Sequence, residues 1–289
     1  MEIVIARESG FCYGVKRALR LARETRKQVS EPVHTWGELI HNPDVIHQLE
    51  KEGIIPTENT AALEGKTVII RSHGVSPEIY LRLKEVARDV IDATCPIVKR
   101  IQKLTARLAK QDLEVIIVGN PHHPEIIGLL GTSQGKAMII EKETQAANLP
   151  FARRRAVLAQ STQDMDLFAR VVAALVGKTR ELKVFNTICR STRVRQRSTS
   201  ELAAVVDVLF IIGGASSSNT NKLYEISKRI QPKTYFIEKA DQISPAMLAG
   251  AEKVGISGGA STPPEAIREA VLKIKDSFKK IGGEERATP

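Results

Sequence analysis

The sequence predicts an α/β protein whose lobes contain mainly parallel sheets. Short apolar runs alternate along the chain with amphipathic helical patterns, as expected when helices connect parallel strands. Apolar residues make up 42% of the 289 residues and aromatic residues only 4%, which suits sheets buried under Val, Ile, Leu and Ala. No long Gly/Ser linker interrupts this alternation, so we expect the lobes to pack closely.

Short apolar runs mark the predicted strands. After Cys95, apolar residues recur at three- and four-residue steps from Ile97 to Leu108, and Pro96 suits a first helical turn. After Cys12 the same spacing predicts a second helix through Val15, Ala18, Leu19 and Ala22. The predicted strands are 2–6, 67–72, 89–93, 114–119, 137–141, 155–160, 182–187, 208–214, 234–238 and 253–259.

The three cysteines occupy three similar settings. Cys12, Cys95 and Cys189 each follow a strand-like run and open a basic, helix-like one. This repeated setting predicts three lobes that each deliver one thiol to a shared centre. We place the first lobe at 13–95, the second at 96–188 and the third at 189–281, with strand 1–12 joining the third and a polar tail at 282–289.

The cysteines admit more than one chemical role. Cysteine is often a small buried hydrophobe, and an odd count argues against a complete set of intrachain disulfides. Because no signal peptide precedes the first strand, we expect a reducing cytoplasm. Free N–H groups at a helix N-terminus stabilise a thiolate, the form that binds metal. Three thiolates suit an iron–sulfur cluster with one open position, while three cysteines and one histidine suit zinc.

The charge balance favours anionic partners. Lys and Arg number 43 against 33 Asp and Glu, which gives a net charge of +10. Nucleic acid, a phosphorylated metabolite and an acidic electron-carrier protein all fit this charge. The sequence has no recognisable nucleic-acid motif and few aromatic residues for stacking, so no nucleic-acid partner is expected. A basic nucleic-acid-binding protein stays open as an alternative function, as does a zinc-binding enzyme. No apolar run approaches the ~20 residues of a membrane span, so no membrane partner is expected either.

Polar loops follow several of the predicted strands. In open parallel sheets, ligands bind beyond the carboxyl ends of the strands. Imidazoles, hydroxyls and amides in such loops can bind phosphate oxygens without a Walker-type loop. Taken singly, the serines and Asn219 would more simply form a turn or a helix cap, and Glu125 would be a helix N-terminal charge. The loop residues are His41, His73, His123, Glu125, Ser161, Thr162, Ser217, Ser218, Asn219 and Ser261.

Eight motifs in order resemble the 4-hydroxy-3-methylbut-2-enyl diphosphate reductase family, of the LytB type. The motifs are GFCYGVKRA, IHNPDV, SHGVSP, DATCPIV, HPEIIG, NTICRST, SSSNTNKL and GGASTPP, and they run from about Ile5 to Ala266. The resemblance implies a trefoil of three α/β lobes around a central iron–sulfur cavity. It also implies one [4Fe-4S] cluster held by Cys12, Cys95 and Cys189.

The resemblance implies a reductive dehydroxylation, the last step of the non-mevalonate isoprenoid pathway. An allylic diphosphate alcohol accepts two electrons and two protons, loses water and becomes isopentenyl or dimethylallyl diphosphate. A ferredoxin- or flavodoxin-type protein would donate the electrons. By resemblance Glu125, His123 and Ser161 are catalytic. The substrate-binding residues implied are His41, His73, His123, Thr162, Thr192, Ser217, Ser218, Asn219 and Ser261.

Glu125 is the expected proton source or the first member of its relay. An apolar wall raises the pKa of a carboxyl group by desolvation, and we expect Ile126 and Ile127 to supply that wall. The chain departs from the family at two places. Ser161 stands where threonine is usual, which keeps the hydroxyl but loses χ1 stiffness. Ala215 and Ser216 stand where a basic residue and Asn are usual, so we do not expect these two to contact substrate.

Overall fold

Twelve strands form three separate sheets in the computed structural model, which describes residues 2–284. Every strand pair recorded in these sheets is parallel. The strands are β1 Glu2–Ile5, β2 Val33–Trp36, β3 Ile54–Thr57, β4 Thr67–Ile70, β5 Asp89–Asp92, β6 Glu114–Val118, β7 Met138–Ile140, β8 Ala152–Ala159, β9 Thr179–Phe185, β10 Val208–Ile212, β11 Thr234–Ile237 and β12 Lys253–Gly258.

Helices connect most of these strands, as parallel pairing requires. Helix α4 begins at Pro96, where a missing N–H costs nothing, and it buries Val98, Ile101 and Leu108. The helices are α1 Tyr13–Gln28, α2 Pro43–Lys51, α3 Pro77–Val86, α4 Pro96–Ala109, α5 Pro124–Thr132, α6 Glu143–Ala147, α7 Met165–Val176, α8 Arg190–Ala203, α9 Ser218–Ile230 and α10 Pro264–Glu284.

All three sheets share one topology. Their strand orders are β3-β2-β4-β5, β7-β6-β8-β9 and β11-β10-β12-β1. In each sheet the two central strands flank the point where the strand order reverses, and a cysteine follows one edge strand. These are Cys95 after β5, Cys189 after β9 and Cys12 after β1. The prediction of α/β lobes with parallel sheets is therefore confirmed.

Apolar residues of the central strands form the core of each sheet. All five residues of β10 are buried, and apolar side chains pack on both faces of its sheet. The sheet that contains β6 and β8 is likewise covered on both faces. Burial on both faces explains why these strands read as continuous apolar runs rather than alternating ones.

The ten predicted strands are confirmed to within a few residues, but β2 and β3 were not predicted. The sequence of β2 is VHTW, in which polar residues interrupt the apolar run. That of β3 is IIPT, and proline is tolerated there because β3 is an edge strand. Both predicted helices are confirmed, and Val15, Ala18, Leu19 and Ala22 are buried in α1.

The chain divides into two compact units. The terminal unit contains the N-terminal residues up to Cys12, His41–Pro43 and the chain from Arg190 onward. The middle unit contains Tyr13–Ile40 and Asp44–Cys189. The lobe boundaries predicted after residues 95 and 188 stay predictions. Of the predicted tail, residues 282–284 belong to α10 and residues 285–289 lie outside the described part.

No helix within residues 2–284 is long and apolar enough to cross a membrane.

Candidate active-site loops

The loops after the two central strands of each sheet carry the predicted binding residues. Ligands of open α/β sheets bind at this place, where the strand order reverses. His41 follows β2 and His73 follows β4, while His123 with Glu125 follows β6 and Ser161 with Thr162 follows β8. In the third sheet, Ser217 and Asn219 follow β10 and Ser261 follows β12. The shared topology thus explains why one kind of polar loop recurs along the chain.

The backbone of each cysteine is fixed in the same way. The Cys95 N–H donates to the Ser72 carbonyl at 2.9 Å, and Ser72 lies in the loop after the neighbouring strand β4. The Cys189 N–H donates to the Ser161 carbonyl at 2.9 Å after β8, and the Cys12 N–H donates to the Ala260 carbonyl at 3.0 Å after β12. Each cysteine loop is therefore tied to a loop that carries a predicted substrate-binding residue.

The three cysteine thiols are chemically suited to bind a metal cluster. No disulfide involves Cys12, Cys95 or Cys189, and all three are partly exposed. A helix begins at the next residue in each case, and no acidic residue occupies its first turn. Cysteine sulfur is the ligand that iron–sulfur clusters use.

Glu125 and Ser161 form a buried pair in the middle unit. Glu125 lies in the first turn of α5 and is 1% exposed. The Ser161 hydroxyl donates to Glu125 Oε2 at 2.6 Å, and the Ser161 N–H donates to Glu125 Oε1 at 2.7 Å. Both carboxyl oxygens therefore bind one residue at the end of the neighbouring central strand, which fixes the orientation of the carboxyl group.

Burial raises the pKa of Glu125 because desolvation disfavours the carboxylate, and the two hydrogen bonds from Ser161 oppose that rise. Ile126 and Ile127 were predicted to form an apolar wall beside the Glu125 carboxyl group. Ile126 is fully buried, but Ile127 is 51% exposed and cannot desolvate the carboxyl group. The prediction for Ile127 was wrong because the sequence does not show which face of α5 is covered.

His123 caps the helix that carries Glu125. Its Nδ1 accepts the Glu125 N–H at 3.1 Å, so the hydrogen of a neutral imidazole lies on Nε2. The His73 ring lies edge-on to the His123 ring, with 5.2 Å between the ring centroids. The loops after β4 and β6 thus place two imidazoles side by side. The sequence marked both histidines but gave no sign of the capping role.

Ser217, Asn219 and Ser261 are buried in the terminal unit. The Ser261 hydroxyl donates to the His41 carbonyl at 2.8 Å and lies 3.3 Å from Ser217 Oγ. Ser217 caps α9, whose first turn contains Asn219. Asn219 is 3% exposed, yet neither its Oδ1 nor its Nδ2 has a hydrogen-bond partner among the described residues. A buried amide in this state indicates a ligand or water site, since such groups are otherwise satisfied. We call Ser217, Asn219 and Ser261 the anion pocket, after the diphosphate-binding role predicted for them.

Of the remaining predicted residues, Thr162 and Ser218 lie after central strands, whereas Thr192 follows the edge strand β9. The Thr162 hydroxyl accepts from Gln160 Nε2 at 3.1 Å, and Thr192 is buried in the first turn of α8. Ser218 is partly buried at the start of α9, while Ala215 and Ser216 are exposed.

Sequence reasoning missed Arg195, a buried residue of α8 that donates to two backbone carbonyls. Nothing in the sequence marks it, because α8 is rich in arginines that are mostly exposed.

These loops, repeated on three parallel sheets, define an α/β protein with cysteines, a buried carboxyl group and polar hydrogen-bonding groups after its strands. The sequence profile of the LytB protein family matches residues 3–275. A match of this length shows the family, and the chain belongs to it.

Named relatives and solved structures agree with this assignment. The 4-hydroxy-3-methylbut-2-enyl diphosphate reductase of Aquifex aeolicus is 42% identical over 279 residues, covering 96% of both chains. That of Caldanaerobacter subterraneus is also 42% identical and covers 95% of this chain and 97% of its own. A solved reductase structure, described as the terminal enzyme of the non-mevalonate pathway, has 41% identity and a TM-score of 0.70, covering 96% of this chain and all of its own. The Plasmodium falciparum reductase structure has 28% identity and a TM-score of 0.90, covering 94% and 87%.

Proposed function

We propose that this chain reduces 4-hydroxy-3-methylbut-2-enyl diphosphate to isopentenyl and dimethylallyl diphosphate. Its relatives are oxidoreductases named for that substrate, and they match the chain over almost its whole length. The observation that carries the proposal is the buried carboxyl group of Glu125, which Ser161 orients at the end of two central strands. A dehydroxylating reductase needs a proton source of this kind, because hydroxide is a poor leaving group.

The reaction consumes two electrons and two protons. The carbon–oxygen bond of the allylic alcohol breaks, the oxygen leaves as water after taking up one proton, and the allylic carbons receive the electron pair and the other proton. Cys12, Cys95 and Cys189 would hold one [4Fe-4S] cluster, which supplies the electrons when bound. Side chains of the protein cannot supply electrons, so their task is to bind the substrate and deliver protons.

Glu125 and Ser161 would deliver the proton to the leaving oxygen. The raised pKa of Glu125 lets the carboxyl group hold a proton closer to neutrality than an exposed glutamate does. When Glu125 is protonated, its Oε2–H can donate to Ser161 Oγ, and the Ser161 hydroxyl can then donate to the substrate. The 2.6 Å separation of these two oxygens supports such a relay. Thr162 would position the same substrate hydroxyl, and His123 would act beside Glu125.

The anion pocket would bind the diphosphate together with His41, His73, His123, Ser218 and Thr192. Asn219 Nδ2 and the Ser217 hydroxyl are hydrogen-bond donors suited to phosphate oxygens. The Ser261 hydroxyl would donate to phosphate on releasing the His41 carbonyl, to which it now donates. Asn219 also lies in the first turn of α9, where backbone N–H groups favour anions and no acidic residue is present. Bound diphosphate would accept a hydrogen bond from Asn219 Nδ2, a donor that has no acceptor among the described residues.

A one-electron carrier protein must reduce the enzyme between turnovers. A ferredoxin- or flavodoxin-type donor fits the net charge of +10, because such a surface attracts acidic proteins. A cytoplasmic location fits three cysteines that form no disulfide.

Anaerobic purification followed by iron and sulfide analysis, an absorption spectrum and a turnover assay tests the proposal. We expect about four iron and four sulfide ions per chain, as a [4Fe-4S] cluster requires, and conversion of the substrate to both products. If the chain instead contained zinc, with no sulfide and no turnover, the proposed reductase function would be wrong and the chain would be a zinc protein.

A further inference from the structure

Arg195 is buried beneath two functional loops of the terminal unit. The residue is 1% exposed and lies on α8, the helix that begins directly after Cys189. Its Nη1 donates to the Gly258 carbonyl at 2.7 Å, and its Nη2 donates to the Gly10 carbonyl at 3.0 Å. Burying a guanidinium group is costly, and an apolar side chain of similar volume often gives equal stability. The buried guanidinium group of Arg195 is therefore better explained by its hydrogen bonds to two carbonyls than by a contribution to the stability of the fold.

The two carbonyls belong to the loops that carry Cys12 and Ser261. Gly10 lies two residues before Cys12, and Gly258 lies at the end of β12, three residues before Ser261. The Cys12 N–H also donates to the Ala260 carbonyl at 3.0 Å, so the loops bind each other directly as well as through Arg195. Their backbones are close, since a Cβ atom on Gly258 would lie 3.2 Å from the Gly10 nitrogen.

Helix α8 binds the same two segments at further points. The Ser198 hydroxyl donates to the Arg7 carbonyl at 2.8 Å, and Thr199 Oγ1 lies 2.8 Å from Ser257 Oγ. Residues 7–12 and 257–261 therefore share one support. A displacement of the Ser261 loop cannot leave the Cys12 loop unaffected while Arg195 holds both carbonyls.

We propose that Arg195 is a positioning residue that couples the anion pocket to the loop of Cys12. An anion bound by Ser217, Asn219 and Ser261 would hold the Ser261 loop, and Arg195 would pass that restraint to residues 7–12. Two donors on a rigid planar fork can bridge two carbonyls at a fixed separation, which the single nitrogen of lysine cannot do in the same geometry. The proposal rests on the proposed function, which assigns the two loops to cluster binding and substrate binding. The hydrogen bonds by which Arg195 links the loops do not depend on that assignment.

Hydrogen exchange of the anaerobic holoenzyme, with and without inorganic pyrophosphate, measures the coupling. In the wild type, pyrophosphate should slow amide exchange in residues 7–12 by about fivefold or more, the lower end of ordinary coupling between sites. In Arg195→Lys and Arg195→Met that response should disappear while residues 217–219 still respond. The lysine variant keeps the charge and the methionine variant keeps apolar packing, so at least one should fold.

Arg155→Lys is the matched control. Arg155 is also fully buried and donates to two carbonyls, those of Lys178 and Pro150, but it lies in β8 of the middle unit. This variant should keep the wild-type response in residues 7–12. An undiminished response in Arg195→Lys would overturn the proposal, and so would a wild-type loop 7–12 that ignores pyrophosphate bound at 217–219. Iron, sulfide and turnover of the same wild-type sample report separately on the reductase function.

Discussion

The Glu125–Ser161 pair and the anion pocket are both buried, but they differ in whether their polar atoms have hydrogen-bond partners within the protein. Both oxygens of Glu125 accept a hydrogen bond from Ser161, so the pair is satisfied by the protein alone. In the anion pocket, neither amide atom of Asn219 has a hydrogen-bond partner among the described residues. Since a buried polar group without a partner costs about 1–3 kcal/mol, the pocket is stabilised by whatever ligand or water satisfies it.

This difference separates the work of the two regions. A carboxyl group whose orientation is already fixed is prepared for proton transfer and loses little freedom during the reaction. An amide NH2 group that lacks an acceptor gains a hydrogen bond when an anion binds. Changes to the first region should therefore lower kcat, and changes to the second should weaken substrate binding.

The largest effect is expected from the cysteines, which are divided between the two units. Cys95 and Cys189 lie in the middle unit with Glu125, and Cys12 lies in the terminal unit with Asn219. If both regions serve one cluster, Cys12→Ser, Cys95→Ser and Cys189→Ser should each abolish stable cluster binding and turnover. Iron and sulfide content per chain measures this. Full iron content and turnover in any single variant would show that its thiol is not a ligand.

Ser161 should show the next largest effect, on kcat. Ser161→Ala keeps the backbone N–H bonded to Glu125 but loses the hydroxyl, and a lost buried hydrogen bond of about 1–3 kcal/mol lowers the rate about 5- to 150-fold. Ser161→Thr restores the hydroxyl and serves as the matched control, with activity near that of the wild type. Equal turnover for the alanine variant would remove the hydroxyl from the proton path.

Asn219 should affect binding rather than chemistry. Asn219→Ala should raise KM by about tenfold, the value of one hydrogen bond to a charged group, with kcat little changed. Folding should not suffer, because the lost amide atoms have no partner in the described protein. Asn221→Ala is the control, since its exposed amide binds only the Ala215 carbonyl in the recorded contacts.

Substrates without the diphosphate test the same pocket from the other side. The free alcohol should be a poor substrate for the wild type and should lose little further in Asn219→Ala. If the free alcohol turned over as well as the diphosphate, the pocket would have been assigned to the wrong ligand.

The smallest effect concerns stability and pH. Because the native pKa of Glu125 is raised, the folded state binds this proton more tightly than the unfolded state. Stability should therefore fall as pH rises from about 4.3, the unfolded value, through the raised native value, by at most about 1.4 kcal/mol per pH unit. Glu125→Gln cannot titrate and should lack this part of the pH dependence. If the melting temperatures of the wild type and Glu125→Gln changed equally with pH over that range, the raised pKa of Glu125 would be contradicted.

The sequence predicted the position of the two regions along the fold better than their hydrogen bonds. Motifs and strand runs were enough to place Glu125, Ser161 and Asn219 shortly after strands, because parallel topology puts the segments that follow the strands at one edge of a sheet. Hydrogen bonds depend on orientation, so neither the caging of Glu125 by Ser161 nor the capping by His123 could be predicted. Burial of single residues was equally hidden, as the exposed Ile127 and the buried Arg195 show. Strands β2 and β3 were missed because polar residues and a proline conceal them.

Steady-state kinetics of Glu125→Gln test the central claim most directly. The substitution keeps the shape of the side chain and one oxygen that can accept a hydrogen bond from Ser161. Its other terminal atom is an NH2 group, which can donate to Ser161 Oγ but cannot deliver a carboxyl proton. With iron content matched to the wild type, kcat should fall by about 10²-fold or more, the usual loss for a general acid, while pyrophosphate binding stays unchanged. Near-normal kcat would contradict the account and assign the proton to another donor, with His123 the first to be tested.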